Sequence, residues 1–156
     1  YCAIVWACTK INPDNMSIIT NNGKLQPILK IQKRAVRHIC QSSYREHTAP
    51  LFKKLSLLTI DDIGTLQISQ FMYKFHNNLL PLNFLNYFVT NSSVHQHNTR
   101  HSSDIHLSFA KTAKRFETIR FLGPRIWNNL PCHLKTASSY SAFNKKAKLH
   151  FLVKYI

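Results

Sequence analysis

Thr59-Ile60-Asp61-Asp62-Ile63-Gly64-Thr65-Leu66-Gln67-Ile68-Ser69-Gln70-Phe71-Met72-Tyr73-Lys74-Phe75-His76 is the stretch whose reading decides the fold. Ile60, Gly64, Ile68, Phe71, Met72, Phe75 and Leu79 recur at helical spacing, and Ile63 and Leu66 widen the stripe. Thr59 followed three positions later by Asp62 resembles a capping box, weakened because Asp is shorter than Glu. The pattern predicts a helix from Ile60 to about Asn78, stopped by Pro81. Phe84, Leu85, Tyr87 and Phe88 form a short apolar patch expected to pack back on it.

Upstream, Leu25, Ile28, Leu29, Gln32, Ala35, Val36 and Ile39 again recur at helical spacing, with Pro27 tolerated in the first turn. The other face of this helix carries Lys30, Lys33, Arg34, Arg37 and His38, so one side packs while the other concentrates positive charge. A solvated basic face is the ordinary meaning of such a run. The near absence of interleaved acids argues instead for phosphate contact. Thr48 is expected to cap a short helix with Pro50 in its first turn and Leu51, Phe52 and Leu55 on one face. Tyr1 to Ala7 is apolar on nearly every side and suits a buried strand or a helix end; Asn12-Pro13-Asp14 reads as a turn and Asn21-Asn22-Gly23 as a loop.

Downstream, Asn91 to Ser103 turns to Ser, Asn and His, which marks an exposed loop or subdomain boundary. Ile105, Leu107 and Phe109 alternate, and Phe116, Ile119 and Phe121 are β-compatible, so a hairpin with Lys111 to Lys114 in its turn is expected. In Phe121-Leu122-Gly123-Pro124-Arg125-Ile126-Trp127-Asn128-Asn129-Leu130-Pro131, Gly123-Pro124 reads as a turn into a helix of one or two turns that Pro131 ends. Trp127 and Ile126 are expected to tie it to the long helix, making Phe71, Phe75 and Trp127 a structural hub. After a Thr136-Ala137-Ser138-Ser139 linker, a last helix takes Ser141 as its cap, with Phe143, Ala147, His150 and Phe151 inward and Lys145, Lys146 and Lys148 outward. The expected fold is thus mainly α, a helical bundle with a small β-hairpin element in the second half. Its expected organisation is a helical module over 1–90, a polar His-rich loop over 91–104, and a small α+β subdomain over 105–156 ending in a basic helix.

The 156 residues suit one domain, or a core with an appended subdomain. Against 21 Lys and Arg stand 6 Asp and Glu, a formal charge of +15. That excess is self-repulsive unless a polyanion neutralises it, which favours nucleic acid or an acidic membrane surface as partner. Arg100, Lys111, Lys114, Arg115, Arg120 and Arg125 stand among Asn, Ser and Thr, a setting suited to phosphate and sugar contacts. A membrane-surface helix would want a broad apolar face beside a lysine row; only the final helix approaches this, and no membrane partner is expected. The longest opening apolar run, Cys2 to Cys8, is far shorter than the roughly 20 residues of a membrane span. Cys2, Cys8, Cys40 and Cys132 form no Cys-x-x-Cys pair and read as reduced thiols, which suggests an intracellular protein of the nucleus or cytoplasm. Because the chain starts at Tyr1 and not Met, it is read as a fragment of something longer.

Catalytic constellations are sparse. Asp61-Asp62 could hold metals in a nucleotidyl transferase, but no motif supplies a further carboxylate, and acids just after a helix cap complement the helix dipole. His95, His97, His101 and His106 are zinc candidates by residue type, with His95, His97 and His101 the nearest to a set; their spacing matches no known finger. No cofactor and no catalytic residue are expected.

Tyr1-Cys2-Ala3-Ile4-Val5-Trp6, Leu29-x-Ile31-Gln32-Lys33-Arg34-Ala35-Val36-Arg37 and His47-Thr48-Ala49-Pro50-Leu51-Phe52 follow one another in an order that resembles the region after the polymerase core in non-LTR retrotransposon reverse transcriptases. Phe71-Met72-Tyr73-Lys74, Asn78-Leu79-Leu80-Pro81, His97-Asn98-Thr99-Arg100 and Gly123 to Pro131 continue it over nearly the whole chain, most like the jockey-like elements. The resemblance implies the carboxy-terminal part of a longer polyprotein, with an RNA-directed DNA polymerase upstream and, in the intact enzyme, an endonuclease. The aromatic-x-Asp-Asp polymerase motif is missing, since Thr59 stands where the aromatic would be. The expected role is an accessory module binding RNA or DNA through Lys30, Lys33, Arg34 and Arg37 first and Arg100, Arg120 and Arg125 second. The alternatives are an adaptor docking on the parent polymerase domain and a non-functional remnant.

Overall fold

Helix termini set the boundaries of this fold. In the computed structural model, which describes Lys10–Ile11, Ile18–Ile19 and residues 25–95, 99–109 and 111–155, the elements run in chain order as follows. Strands β1 (Lys10–Ile11) and β2 (Ile18–Ile19) precede helices α1 (Gln26–Ile39), α2 (Thr48–Lys54) and α3 (Ile60–His76). A 3-10 turn (Leu82–Phe84) and α4 (Asn91–Val94) lead to α5 (Ala113–Phe116), α6 (Ile119–Asn129), α7 (Cys132–Lys135) and α8 (Tyr140–Val153). The chain is mainly helical. β1 and β2 pair antiparallel, Lys10 with Ile19 and Ile11 with Ile18. The readings of Tyr1 to Ala7, Asn12 to Asp14, Asn21 to Gly23 and His97 lie outside the described residues.

α3 is the central helix, packed between α6 and α8. Its Ile68, Met72 and Tyr73 are buried together with Leu122, Ile126 and Trp127 of α6 and Phe143, Ala147 and Phe151 of α8. One core therefore joins residues from both sides of the polar 91–104 stretch. Tyr73 stacks on Phe143 at 4.5 Å and donates its hydroxyl to the Ala137 carbonyl at 2.8 Å, which pins the linker before α8. Trp127 is 4% exposed, with the rings of His76 and Phe143 at 5.5 and 6.2 Å. Phe71 and Phe75 are engaged elsewhere: both meet Phe88 edge-on, at 6.5 and 4.9 Å.

The N-terminus of α3 is closed by side chains from three segments. Thr59 Oγ1 accepts from the Asp62 N–H at 3.4 Å, the cap its spacing predicts. The Ile60 N–H donates to Gln32 Oε1 of α1 at 3.1 Å, and Gln32 Nε2 returns to the Leu58 carbonyl at 2.8 Å. The Thr59 N–H donates to the Tyr155 hydroxyl at 2.9 Å, which itself donates to the buried Asp62 carboxylate. The other helix ends are equally local. α1, α2 and α3 each stop with a left-handed residue, Gln41, Ser56 and Asn78. In each the following N–H turns back onto the helix, as Leu79 N does to the Lys74 carbonyl at 2.8 Å. Thus α3 ends at His76, before Pro81 acts.

Four expectations are corrected. The hairpin around Lys111 to Lys114 is absent: Thr112 accepts from the Arg115 and Phe116 N–H groups at 3.0 and 3.4 Å, so a helical turn replaces it. Ile105 instead bridges Thr90, while Leu107 and Phe109 are exposed and give a sheet no face to bury. α6 starts at Ile119, not at Pro124, and carries Pro124 in its interior. The lost hydrogen bond and ring clash, about 3 kcal/mol in a free helix, are offset by burial of Leu122, Pro124, Ile126 and Trp127 against α3. Ser139, not Ser141, caps α8, accepting from the Ala142 N–H at 3.2 Å. Thr48 is already helical in α2 rather than its cap, and His47 holds the cap position with no side-chain bond.

Gly123 marks the closest approach of α6 to α3. A Cβ there would lie 2.5 Å from Met72 Sδ and 3.3 Å from the Phe88 ring. Met72 is fully buried, so its side chain must shift within the packed core. Gly123→Ala gains about 0.5–1 kcal/mol of helix propensity but overpacks the core by about 1–3 kcal/mol. A net loss is expected, read as a lower urea midpoint at unchanged m-value. Tyr155 supplies a pH test. Burial first, and the Asp62 carboxylate second, push its phenol up to about 12 from 10.0. The unfolded chain therefore ionises first as pH rises, and stability falls from about pH 10 to about pH 12. Tyr155→Phe should start less stable at neutral pH and show a shallower alkaline decline; parallel urea midpoints for the two chains across that range provide the comparison.

Candidate nucleic-acid interface

α1 has three faces. Leu29, Gln32, Val36 and Cys40 turn inward, and Val36 forms a small cluster with Leu51 and Phe52 of α2, joined by Leu55 and Tyr155. Lys30, Lys33, Arg34 and Arg37 follow the i, i+3, i+4, i+7 rule and share a second face. Lys30 and Arg34 are exposed; Lys33 and Arg37 are half-buried. The third face, nearly opposite the cations, shows Ile28, Ile31 and Ile39 to solvent, the last two 65% and 63% exposed.

These four cations are not equivalent. Arg37 donates from Nε and Nη2 to the Glu46 carbonyl at 3.2 and 3.1 Å, and its guanidinium lies over Tyr44 at 5.8 Å. It thereby holds the 42–47 turn against α1, and only the rest of its fork is available to a ligand. Lys30, Lys33 and Arg34 have no ion pair among the described residues.

Of the second group, Arg120 and Arg125 both lie on α6, but five positions apart, about 140° around the axis. They cannot face one flat ligand together. Arg120 is exposed over Tyr87 at 5.4 Å; Arg125 is half-buried. Arg100 is exposed in the turn before Ile105. The first group lies on α1, which packs on α2 and reaches the start of α3 through Gln32, whereas Arg120 and Arg125 lie on α6, which packs on α3. Lys53 and Lys54, exposed in the last turn of α2 beside α1, were missed by sequence reasoning. The signal was present: they directly follow the buried Leu51-Phe52 pair, which fixes them outward.

His95 and His101 are exposed, and His106 is half-buried beside His95, their rings 5.9 Å apart. His101 Nδ1 meets Asp104 Oδ2 at 2.7 Å. Among the described residues no three His, Cys, Asp or Glu side chains come together as metal ligands; His97 lies outside them. Asp61 and Asp62 occupy the first turn of α3, and Asp62 is 7% exposed and bound to Tyr155 and Thr59. This is a capping role. Among the described residues no helix is long and apolar enough to cross a membrane.

No protein-family model, characterised protein or solved structure matches the chain.

Proposed function

We propose that this chain is an accessory nucleic-acid-binding module of a non-LTR retrotransposon reverse transcriptase, holding template RNA or target DNA without catalysing a reaction itself. One observation carries the binding part: Lys30, Lys33 and Arg34 share one face of α1 and have no carboxylate partner among the described residues. A helix face of that kind places cations at the spacing of successive phosphates and gains affinity by releasing their counterions. The reverse-transcriptase context rests on the sequence resemblance alone.

A second reading has its own support. The exposed Ile28, Ile31 and Ile39 face has no use in phosphate contact and suits a protein surface. It fits the adaptor role, in which α1 docks on the parent polymerase domain.

Lys30→Glu/Lys33→Glu/Arg34→Glu separates the two, and it leaves Arg37 to its structural bond. On the nucleic-acid reading, filter binding of RNA falls by about 100-fold or more near physiological salt. The slope of log K against log salt should also shrink by about 2–3. Unchanged affinity and slope would remove α1 from the interface. Binding to the polymerase domain without RNA, lost in Ile31→Ser/Ile39→Ser, would transfer the role to the adaptor reading.

A further inference from the structure

Between residues 91–95 and 99–107 on one side and the C-terminal end of α6 on the other lies an open cleft of about 690 Å³, within the range of about 300–1,000 Å³ typical of small-ligand sites. Its walls are held from both sides. Asn128 of α6 pairs with the Ile105 backbone in both directions, accepting its N–H at 3.1 Å and donating to its carbonyl at 2.8 Å. The Asn91 and Ser92 N–H groups donate to the Asp104 and Ser102 carbonyls, both at 2.9 Å. The cleft is therefore fixed by hydrogen bonds before any ligand arrives.

Its lining is unlike the rest of this basic molecule. Histidines 95, 101 and 106 line it with Asn, Ser and Thr side chains, and no Lys or Arg does so among the described residues. The one carboxylate, Asp104, is engaged by His101. The hydrogen bonds also set the tautomers. Asn91 donates its amide to the His101 carbonyl at 2.8 Å, so its Oδ1 faces His106 Nδ1 at 3.1 Å and that nitrogen must donate. His101 Nδ1 likewise donates to Asp104. In the neutral rings both Nε2 atoms are then acceptors.

We propose that this cleft receives a single-stranded nucleobase, with the exposed His95 ring as its stacking surface and the Nε2 acceptors of His101 and His106 for its N–H edge. Imidazole faces stack on bases, and Asn, Ser and Thr suit hydrogen bonding to a neutral heteroaromatic ring better than to a phosphate. A duplex hides its base faces, so the cleft selects single strands. This deepens the nucleic-acid reading and rests on it, but the pocket chemistry can be tested without a phosphate.

The probes are the neutral nucleosides adenosine and cytidine, added at millimolar concentration while the imidazole C–H resonances of the 9 histidines are followed by NMR. Expected are saturable shifts at His95, His101 and His106 and none at the distant His38 and His47. His95→Ala, which removes an exposed ring with no side-chain hydrogen bond among the described residues, should weaken nucleoside binding by about 5-fold or more. His106→Ala also frees Asn91 and is read only if its urea midpoint is unchanged. No shift at the three cleft histidines, or equal shifts at all of them and at His38 and His47, overturns the proposal. A salt titration with single-stranded RNA distinguishes the two failures. The cleft variant should lower affinity at constant salt slope, whereas the α1 variant lowers the slope. RNA binding that is lost with α1 but indifferent to His95→Ala ends the nucleobase proposal and keeps the nucleic-acid reading. Nucleoside binding without RNA binding ends the nucleic-acid reading and with it the placing of a strand's base in the cleft.

Discussion

The N-terminus of α3 is the constraint on which the remaining structure depends. A helix start leaves its first N–H groups without intrahelical acceptors, and at a site this enclosed water cannot be relied on to supply them. Here the Thr59, Ile60 and Asp62 N–H groups are taken by Tyr155, Gln32 and Thr59. The three acceptors come from the chain's end, from α1 and from the cap itself. Satisfying one helix start therefore fixes where α1 and Tyr155, two residues past α8, must lie. Phe52 beside Tyr155 at 6.1 Å extends the same junction into the α1–α2 cluster. The basic face of α1 is held rigidly to the core because Gln32, on the adjacent face of the same helix, belongs to this junction.

The long periodic helices were legible in the sequence. α1, α3 and α8 have apolar stripes, and the Thr59 cap follows from one hydroxyl and one acid three positions apart. What was illegible came from tertiary balance. Pro124 reads locally as a helix start, because its fixed φ and missing N–H suit that position. It stands inside α6 because the helix has a large surface to bury on α3, reached only by the absence of a Cβ at Gly123. The 105–121 alternation failed for the opposite reason. Strand periodicity has meaning only where one face is covered, and Leu107 and Phe109 remain 46% and 78% exposed. The stop of α3 is read from Pro81, whereas left-handed Gln41, Ser56 and Asn78 end α1, α2 and α3. Only Asn among those residue types carries a sequence signal for that conformation.

The candidate site divides the same way. The α1 cations are neighbours through helical geometry, so spacing alone placed Lys30, Lys33, Arg34 and Arg37 on one face. Spacing could not show that Arg37 is partly committed to Glu46, since that bond depends on how the 42–47 turn folds back. Arg120 and Arg125 look adjacent in sequence and are separated by the helical rotation. The cleft was the least legible feature. Its histidines were noticed as possible zinc ligands, while the residues that shape it, Asn91 and Asn128, act through hydrogen bonds to backbone groups far along the chain.

The disposition of the acids explains why so large a charge can persist on so small a core. Asp61 and Asp62 lie in the first turn of α3, where they complement the helix dipole, and Asp62 is further occupied by Tyr155; Asp104 is spent on His101. These carboxylates serve local structure, and the α1 cations are left without compensation among the described residues. Mutual repulsion across that face disfavours the folded state at low ionic strength, and anything that neutralises it stabilises the fold by the amount it prefers the ordered helix over the unfolded chain. Added salt screens that repulsion, and a polyanion bound as proposed would relieve it at the same cations. If the proposed binding holds, anion affinity and fold stability would be linked through this one helix face, which Gln32 ties to the start of α3.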